Sequence, residues 1–244
     1  KITAGTLNIA SGGVGVFGEN ANIDFAVNVT GIGAVGVAAK SNSVISGNIT
    51  TGQDSVGVYI LDNSVSFNGA NIATGRNNSG TSVGILFDSL KQGTYIVNNV
   101  TINAKNGVGI YLDGTPGTTL DFGGTITTAG SGAVGIYVNN GTTLTSNNSL
   151  FNISNGAVGV YVDGGTANLG TTGNLTFNFL AGGGIGVYNN GGTLTLGNNI
   201  TTTGSGSLAA TVNGSLNSSG DLSIGEGGIG LLGSYDNGTI SAQN

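Results

Sequence analysis

The chain has 244 residues, of which 7% are charged; 49 are Gly, and none is Cys, His, Met or Trp. Without Cys or His there is no disulfide, no thiolate or imidazole metal site, and no Ser-His-Asp or Cys-His catalytic pair. The formal net charge is −6 and all five basic residues lie within the first 105 positions, which argues against nucleic acid or an anionic membrane surface as partner.

In chain order, one short phrase returns ten times. Its copies are Val14-Gly15-Val16-Phe17, Val35-Gly36-Val37, Val56-Gly57-Val58-Tyr59, Val83-Gly84-Ile85 and Val108-Gly109-Ile110-Tyr111. They continue as Val134-Gly135-Ile136-Tyr137, Val158-Gly159-Val160-Tyr161, Ile185-Gly186-Val187-Tyr188, the degenerate Leu208-Ala209-Ala210, and Ile229-Gly230-Leu231. Successive central residues lie 21 to 27 positions apart, a period at which each unit must cover its neighbour's apolar face.

Between the phrases, two further β-like pieces are bounded by Gly, Asn, Asp or Ser. The second recurs as Val65-Ser66-Phe67, Leu120-Asp121-Phe122, Thr143-Leu144-Thr145 and Leu194-Thr195-Leu196. The third recurs as Ile49-Thr50-Thr51, Ile126-Thr127-Thr128, Leu150-Phe151-Asn152-Ile153 and Ile200-Thr201-Thr202. Val, Ile, Thr and Gly dominate at an apolar spacing of two, which disfavours a helical solenoid, and the repeat is too short for propeller blades. The expected fold is an all-β parallel β-helix of about ten coils, three short strands per coil, making a rod roughly 45–50 Å long.

Strand alternation places Val134, Ile136 and Val138 inside, with Gly135 and Tyr137 outside. Residues 1–244 read as one continuous body, since no composition break divides the repeat. No terminal cap, initiating Met or leader pattern is visible, so the segment reads as a piece of a longer chain. No apolar run approaches the roughly 18 residues of a membrane-spanning helix.

Two columns of the repeat, three glycine-rich matches and two irregular stretches are the candidate sites. Phe17, Tyr59, Tyr111, Tyr137, Tyr161 and Tyr188 each follow the central Gly by two residues. Tyr59, Tyr111, Tyr137, Tyr161 and Tyr188 are candidate binding residues: an outward aromatic ladder beside a glycine strip offers a groove for sugar rings or partner side chains. Simple stacking between coils is the structural alternative. Asp88, Asp113, Asn139, Asp163 and Asn190, with Asp62 one position later in its coil, form an Asx column suited to turns. Adjacent carboxylates there raise Ca²⁺ or glycosidase chemistry, but Asn139 interrupts them and the calcium β-roll repeat is absent. Three Gly-x-Gly-x-x-Gly matches, at 13–18, 31–36 and 130–135, precede no helical pattern and read as turn glycines; no cofactor or metal is expected. Irregular stretches around Arg76, Asn77 and Asn78, and from Gly164 to Gly173, are candidate binding loops.

The phrase Gly-Ala-Val-Gly-Val/Ile-Tyr-Val-Asp/Asn-Asn/Gly, from Gly132 to Asn140 and from Gly156 to Gly164, together with Gly-Thr-Thr-Leu and Asn-Ile-Thr-Thr pieces, resembles passengers of large type V autotransporter adhesins, particularly the fusobacterial outer-membrane adhesins. That resemblance implies a right-handed β-helix stalk displayed on a Gram-negative cell surface and anchored by a translocator barrel elsewhere in the parent chain. It further implies attachment to a host-cell receptor or glycan, or to a surface protein of another bacterium. The expected role is therefore a non-catalytic structural and adhesive stalk. Two alternatives are an ice-binding β-solenoid, prompted by the Thr-x-Thr pieces but opposed by unequal coil lengths, and a tail-spike-like carbohydrate-active protein.

Overall fold

A computed structural model describes residues 5–75, 81–88, 92–219, 222–233 and 239–243, with no side-chain description for Asp88, Ala242 and Gln243. Among the described residues the regular structure is entirely β-strand and the strands pair in parallel, coil upon coil, so the chain is a parallel β-solenoid. Ten strands, one per copy of the phrase, stack in chain order from Val14–Glu19 through Val134–Val138 to Ile229–Gly233 and form the first face.

The other two faces begin separately. Asn22–Ile23, Val44–Ile45 and Ser66–Phe67 form a three-stranded sheet, while Thr6–Ile9, Ala26–Val29, Asn48–Thr51 and Ala70–Gly75 stack on the third face. In the fourth and fifth coils they merge: Thr94–Lys105 and Thr119–Ala129 run across both faces, with one register shift between Asn98 and Thr101. An irregularity in the strand replaces a turn at that corner, so these coils have two strands rather than the expected three. The sixth coil has all three, Val134–Val138, Thr143–Ser146 and Ser149–Ser154.

The interior is a column of apolar side chains supplied by all three faces. Ile110, Ile136, Val160 and Val187 stack on the first, Leu120, Leu144, Ala167, Leu194 and Leu216 on the second, and Ile102, Ile126, Phe151 and Phe177 on the third; all are buried. Burying each large apolar side chain contributes roughly 1.5–3 kcal/mol, so stability is spread along the rod.

The central glycines depart from the expected parity. A Cβ on Gly135 would meet the Gly159 carbonyl oxygen and lie 3.1 Å from Ile126 Cγ2, so the glycine faces the core. Ile136, the next residue, is buried as well, and the pairing passes from Val108↔Val134 to Ile110↔Ile136 without pairing the glycines. Two consecutive inward residues bend each coil here, which turns Val134 to a half-buried outer position while Tyr137 stays outside and Val138 inside. Strict alternation therefore fails at Val134 and Gly135 and holds from Ile136 onward.

Leu208 shows what the glycine is for. Phe177 lies on the third face, 3.3 Å from where a Cβ of Gly159 or Gly186 would sit. One coil on, Thr202 takes the Phe177 position, and the fully buried Leu208 follows Gly186 in the phrase. Bulk has moved from one wall of the solenoid to the other with the core still filled. The degenerate copy is thus a compensated exchange.

Asn189 is an internal polar group. It stands in line with Val138 and Val162 and is fully buried. Its amide nitrogen donates to Thr211 Oγ1 at 2.9 Å, Ser215 O at 3.1 Å and Gly192 O at 3.2 Å, and its Oδ1 accepts from Gly192 N at 3.1 Å. Full partnering is what permits an amide in this core.

Turns explain the asparagine content. Among the described non-glycine residues, positive φ occurs at Asn20, Asn42, Asn99, Asn106, Asn148, Asn155 and Asn213, besides Ser41 and Asp54. Asn tolerates this left-handed region better than most residues because its side chain bonds locally to the backbone. The stretch from Gly164 to Gly173, expected as an irregular loop, instead contains strand Thr166–Leu169, paired on both sides.

Candidate functional site

The aromatic column lies on the outer side of the first face. Tyr111 and Tyr137 stack with ring centroids 4.8 Å apart and planes within 3°, Tyr137 and Tyr161 at 5.2 Å and 4°, and Tyr161 and Tyr188 at 5.2 Å and 27°. Tyr59 stands apart from this run, because Leu86 occupies the register position between Tyr59 and Tyr111. Phe17 pairs with Ala38, and Lys40 Nζ lies 5.5 Å from its ring centroid and 3.3 Å from Glu19.

This geometry limits what the ladder offers a ligand. Stacked rings cover one another's faces, so an approaching group meets ring edges and hydroxyls. The expected glycine strip is not beside them on the outside, since the glycines point inward. The flanking outer columns are the half-buried valines, such as Val134 and Val158, and the Asx residues.

The Asx column fastens the ladder from the side. The Tyr137 hydroxyl donates to Asp163 Oδ2, the Asn139 amide donates to Asp113 Oδ1, and the Asn190 amide donates to Asp163 Oδ1 at 3.1 Å. Asp62, one position out of register, accepts from Ser41 N at 2.9 Å and Ser64 N at 3.0 Å. The described aspartates of this set are turn and ladder partners.

Withdrawal from water, then the bond to Asp163, raises the Tyr137 pKa above the ordinary value of 10.0. Tyr161 is raised as well, again first by desolvation and then by the Asp163 charge. The folded state therefore holds these protons more tightly than the unfolded chain. The resulting stabilisation is complete below pH 10.0 and is lost as pH rises through the higher folded values. A phenolate absorbance titration is expected to show the Tyr137 proton among the last to leave, with that late component absent in Tyr137→Phe. Simultaneous titration of all seven tyrosines would contradict the geometry.

The other two faces carry polar arrays that the phrase-based reading missed. On the second, Thr94, Thr119, Thr143, Thr166, Thr193, Ser215 and Thr239 form one hydroxyl column over seven coils. On the third, the Asn152 amide donates to Thr127 Oγ1 at 3.3 Å, the Asn178 amide to Asn152 Oδ1 at 3.0 Å, and Thr203 Oγ1 to Asn178 Oδ1 at 2.7 Å. Both columns keep register although coil lengths differ. The signal for them lay in aligning the second and third pieces to one another rather than to the phrase.

At the corner joining these faces, a groove of about 430 Å³ is lined by residues including Thr101, Thr125, Asn148, Leu150, Asn174 and Thr176. A second, of about 310 Å³, lies across the Asn147–Asn148 ridge and includes Asn98, Asp121 and Thr172. Arg76, Asn77 and Asn78 lie outside the described residues.

No protein-family model matches the chain, and no curated protein matches it. Among solved structures it is similar to the TibC-catalyzed hyper-glycosylated TibA55-350 fragment, at 14% identity and a TM-score of 0.25, covering 99% of this chain and 95% of that one. A likeness this distant adds nothing to the argument, and the solenoid rests on the strand pairing described above.

Proposed function

We propose that the chain is a non-catalytic structural and adhesive stalk, a passenger segment of a surface-displayed adhesin of the autotransporter type. The observation that carries this reading is the continuous register of a slender solenoid whose outer columns repeat coil after coil. Such a body projects a long surface from an anchoring point and resists local failure, because each coil is held by its neighbours. The partner in this proposal is a host-cell receptor or glycan, or a surface protein of another bacterium. The proposed location is extracellular, with the outer-membrane anchor in another part of the parent chain.

The test is attachment of the purified chain to partner bacteria and host cells, comparing the native sequence with a variant in which Tyr111, Tyr137, Tyr161 and Tyr188 are all Ser. Attachment by both is the expected result, because the covered ring faces make the ladder a stacking element. Loss only in the variant, with the β signal in circular dichroism unchanged, would assign recognition to the ladder. Absence of attachment by the native chain would contradict an adhesive role for this segment.

Ice binding gains one specific observation, the hydroxyl column from Thr94 to Thr239, whose register survives the unequal coil lengths that counted against it. Thermal hysteresis in the same preparations would favour that reading over adhesion.

A further inference from the structure

We infer that the corner groove between the second and third faces is a binding site for a neutral oligosaccharide, a deepening that rests on the adhesive reading above. The groove crosses several coils. Thr101, Thr125, Leu150, Thr176 and Thr201 occupy one outward column in unbroken register, with Asn148 and Asn174 beside it at the corner.

Hydrogen-bonding capacity is left open in this column and taken up in the adjoining one and at Asn147. Among the described residues, the side chains of Thr101, Thr125, Asn148, Asn174 and Thr176 make no hydrogen bond to protein. In the next column Thr127, Asn152, Asn178 and Thr203 bond to one another, and across the ridge Asn147 Oδ1 accepts from Thr172 N at 3.1 Å and Gly173 N at 3.2 Å. Amides and hydroxyls supply both donors and acceptors, which is what the rim of a pyranose ring requires. Leu150 interrupts the Thr column with a half-buried apolar side chain, giving the C–H face of a sugar something to rest on.

Other occupants fit less well. No Lys or Arg lines the groove, and Asp121 lines the one across the ridge, so a sulfated or sialylated chain would meet no counter-charge. An extended peptide binds by adding to a sheet edge, but the strands here are already paired on both sides within the stack. A purely apolar ligand would strand the open amides and hydroxyls. The volume, about 430 Å³, lies within the range of small-ligand sites.

The 244-residue chain would be applied to an array of neutral glucans, galactans, mannans and N-acetylhexosamine oligomers, printed beside sialylated and sulfated counterparts. Any retained sugar would then be titrated calorimetrically. Retention of at least one neutral oligosaccharide is expected, weakened about tenfold or more in Asn148→Gly/Asn174→Ala. Glycine at 148 keeps the left-handed backbone, where φ is 55°. Thr125→Val/Thr176→Val, which removes hydroxyls with little change of shape, is expected to weaken binding similarly, while Asn152→Ala/Asn178→Ala in the adjacent column leaves it unchanged. Retention of anionic glycans alone, no retention at all, or undiminished binding by both groove variants would overturn the assignment. Attachment to cells without glycan retention would remove the groove and leave the adhesive stalk; loss of both would remove both.

Discussion

Gly159→Val is expected to lower the unfolding midpoint by roughly 6–12 °C, corresponding to about 3 kcal/mol in a chain of this size. A Cβ at this position would lie 2.6 Å from the Gly186 carbonyl oxygen, 2.9 Å from Ile153 Cδ1 and 3.3 Å from Phe177 Cε1. The first of these is backbone of the next coil, which cannot yield without breaking the pairing that holds Val160 to Val187. Gly156→Ala, three residues earlier, supplies the contrast. Its φ of +75° carries a cost of about 1–2 kcal/mol, but nothing lies within 4 Å of the new methyl. Thermal melts of the two variants decide the matter: equal, small shifts would return the phrase glycines to the outer surface.

Phe151→Ala is expected to cost about 3–5 kcal/mol, the range for emptying a large aromatic from a core that cannot collapse. Phe151 is fully buried, and its ring centroid lies 5.2 Å from Phe177 and 6.0 Å from Phe122. It joins the third face to the second as well as coil six to coil seven, so its removal loosens contacts in two directions. In a solenoid the damage is expected near the cavity rather than throughout the rod. Hydrogen exchange should therefore quicken in Thr143–Ser146, Ser149–Ser154 and Leu175–Phe179 before it does in Val35–Lys40. Uniform acceleration along the chain would mean that the molecule melts as one cooperative unit.

The period, the parallel stacking and most inward positions were legible in the sequence because β-branched spacing and turn residues recur together. The glycine phrase was not read correctly. Alternation assumes one residue per face in turn, and the bend that places Gly135 and Ile136 both inside breaks that assumption where the motif is most regular. Leu208 was readable only as degeneracy, since its partner in the exchange, Thr202, sits on another face. The tyrosine column was found by counting from the phrase, but ring stacking and the bond from Tyr137 to Asp163 depend on registration between coils. The corner groove escaped for a related reason: Thr101, Asn148 and Asn174 belong to different coils and share no spacing from the phrase.

The absence of native Cys makes the stacking itself directly measurable. Thr143 and Thr166 are Cα partners in adjacent coils, and Thr193 is the partner of Thr166 in the next. Neighbouring strands lie about 4.8 Å apart, within the Cα range of about 4.4–6.8 Å that a disulfide bridges, whereas two coils span about 9.6 Å and do not. Thr143→Cys/Thr166→Cys is therefore predicted to oxidise readily to an intramolecular disulfide, and Thr143→Cys/Thr193→Cys to remain reduced under the same conditions. Equal oxidation of both pairs, or preferential closure of the second, would contradict the parallel solenoid on which the rest of the account depends.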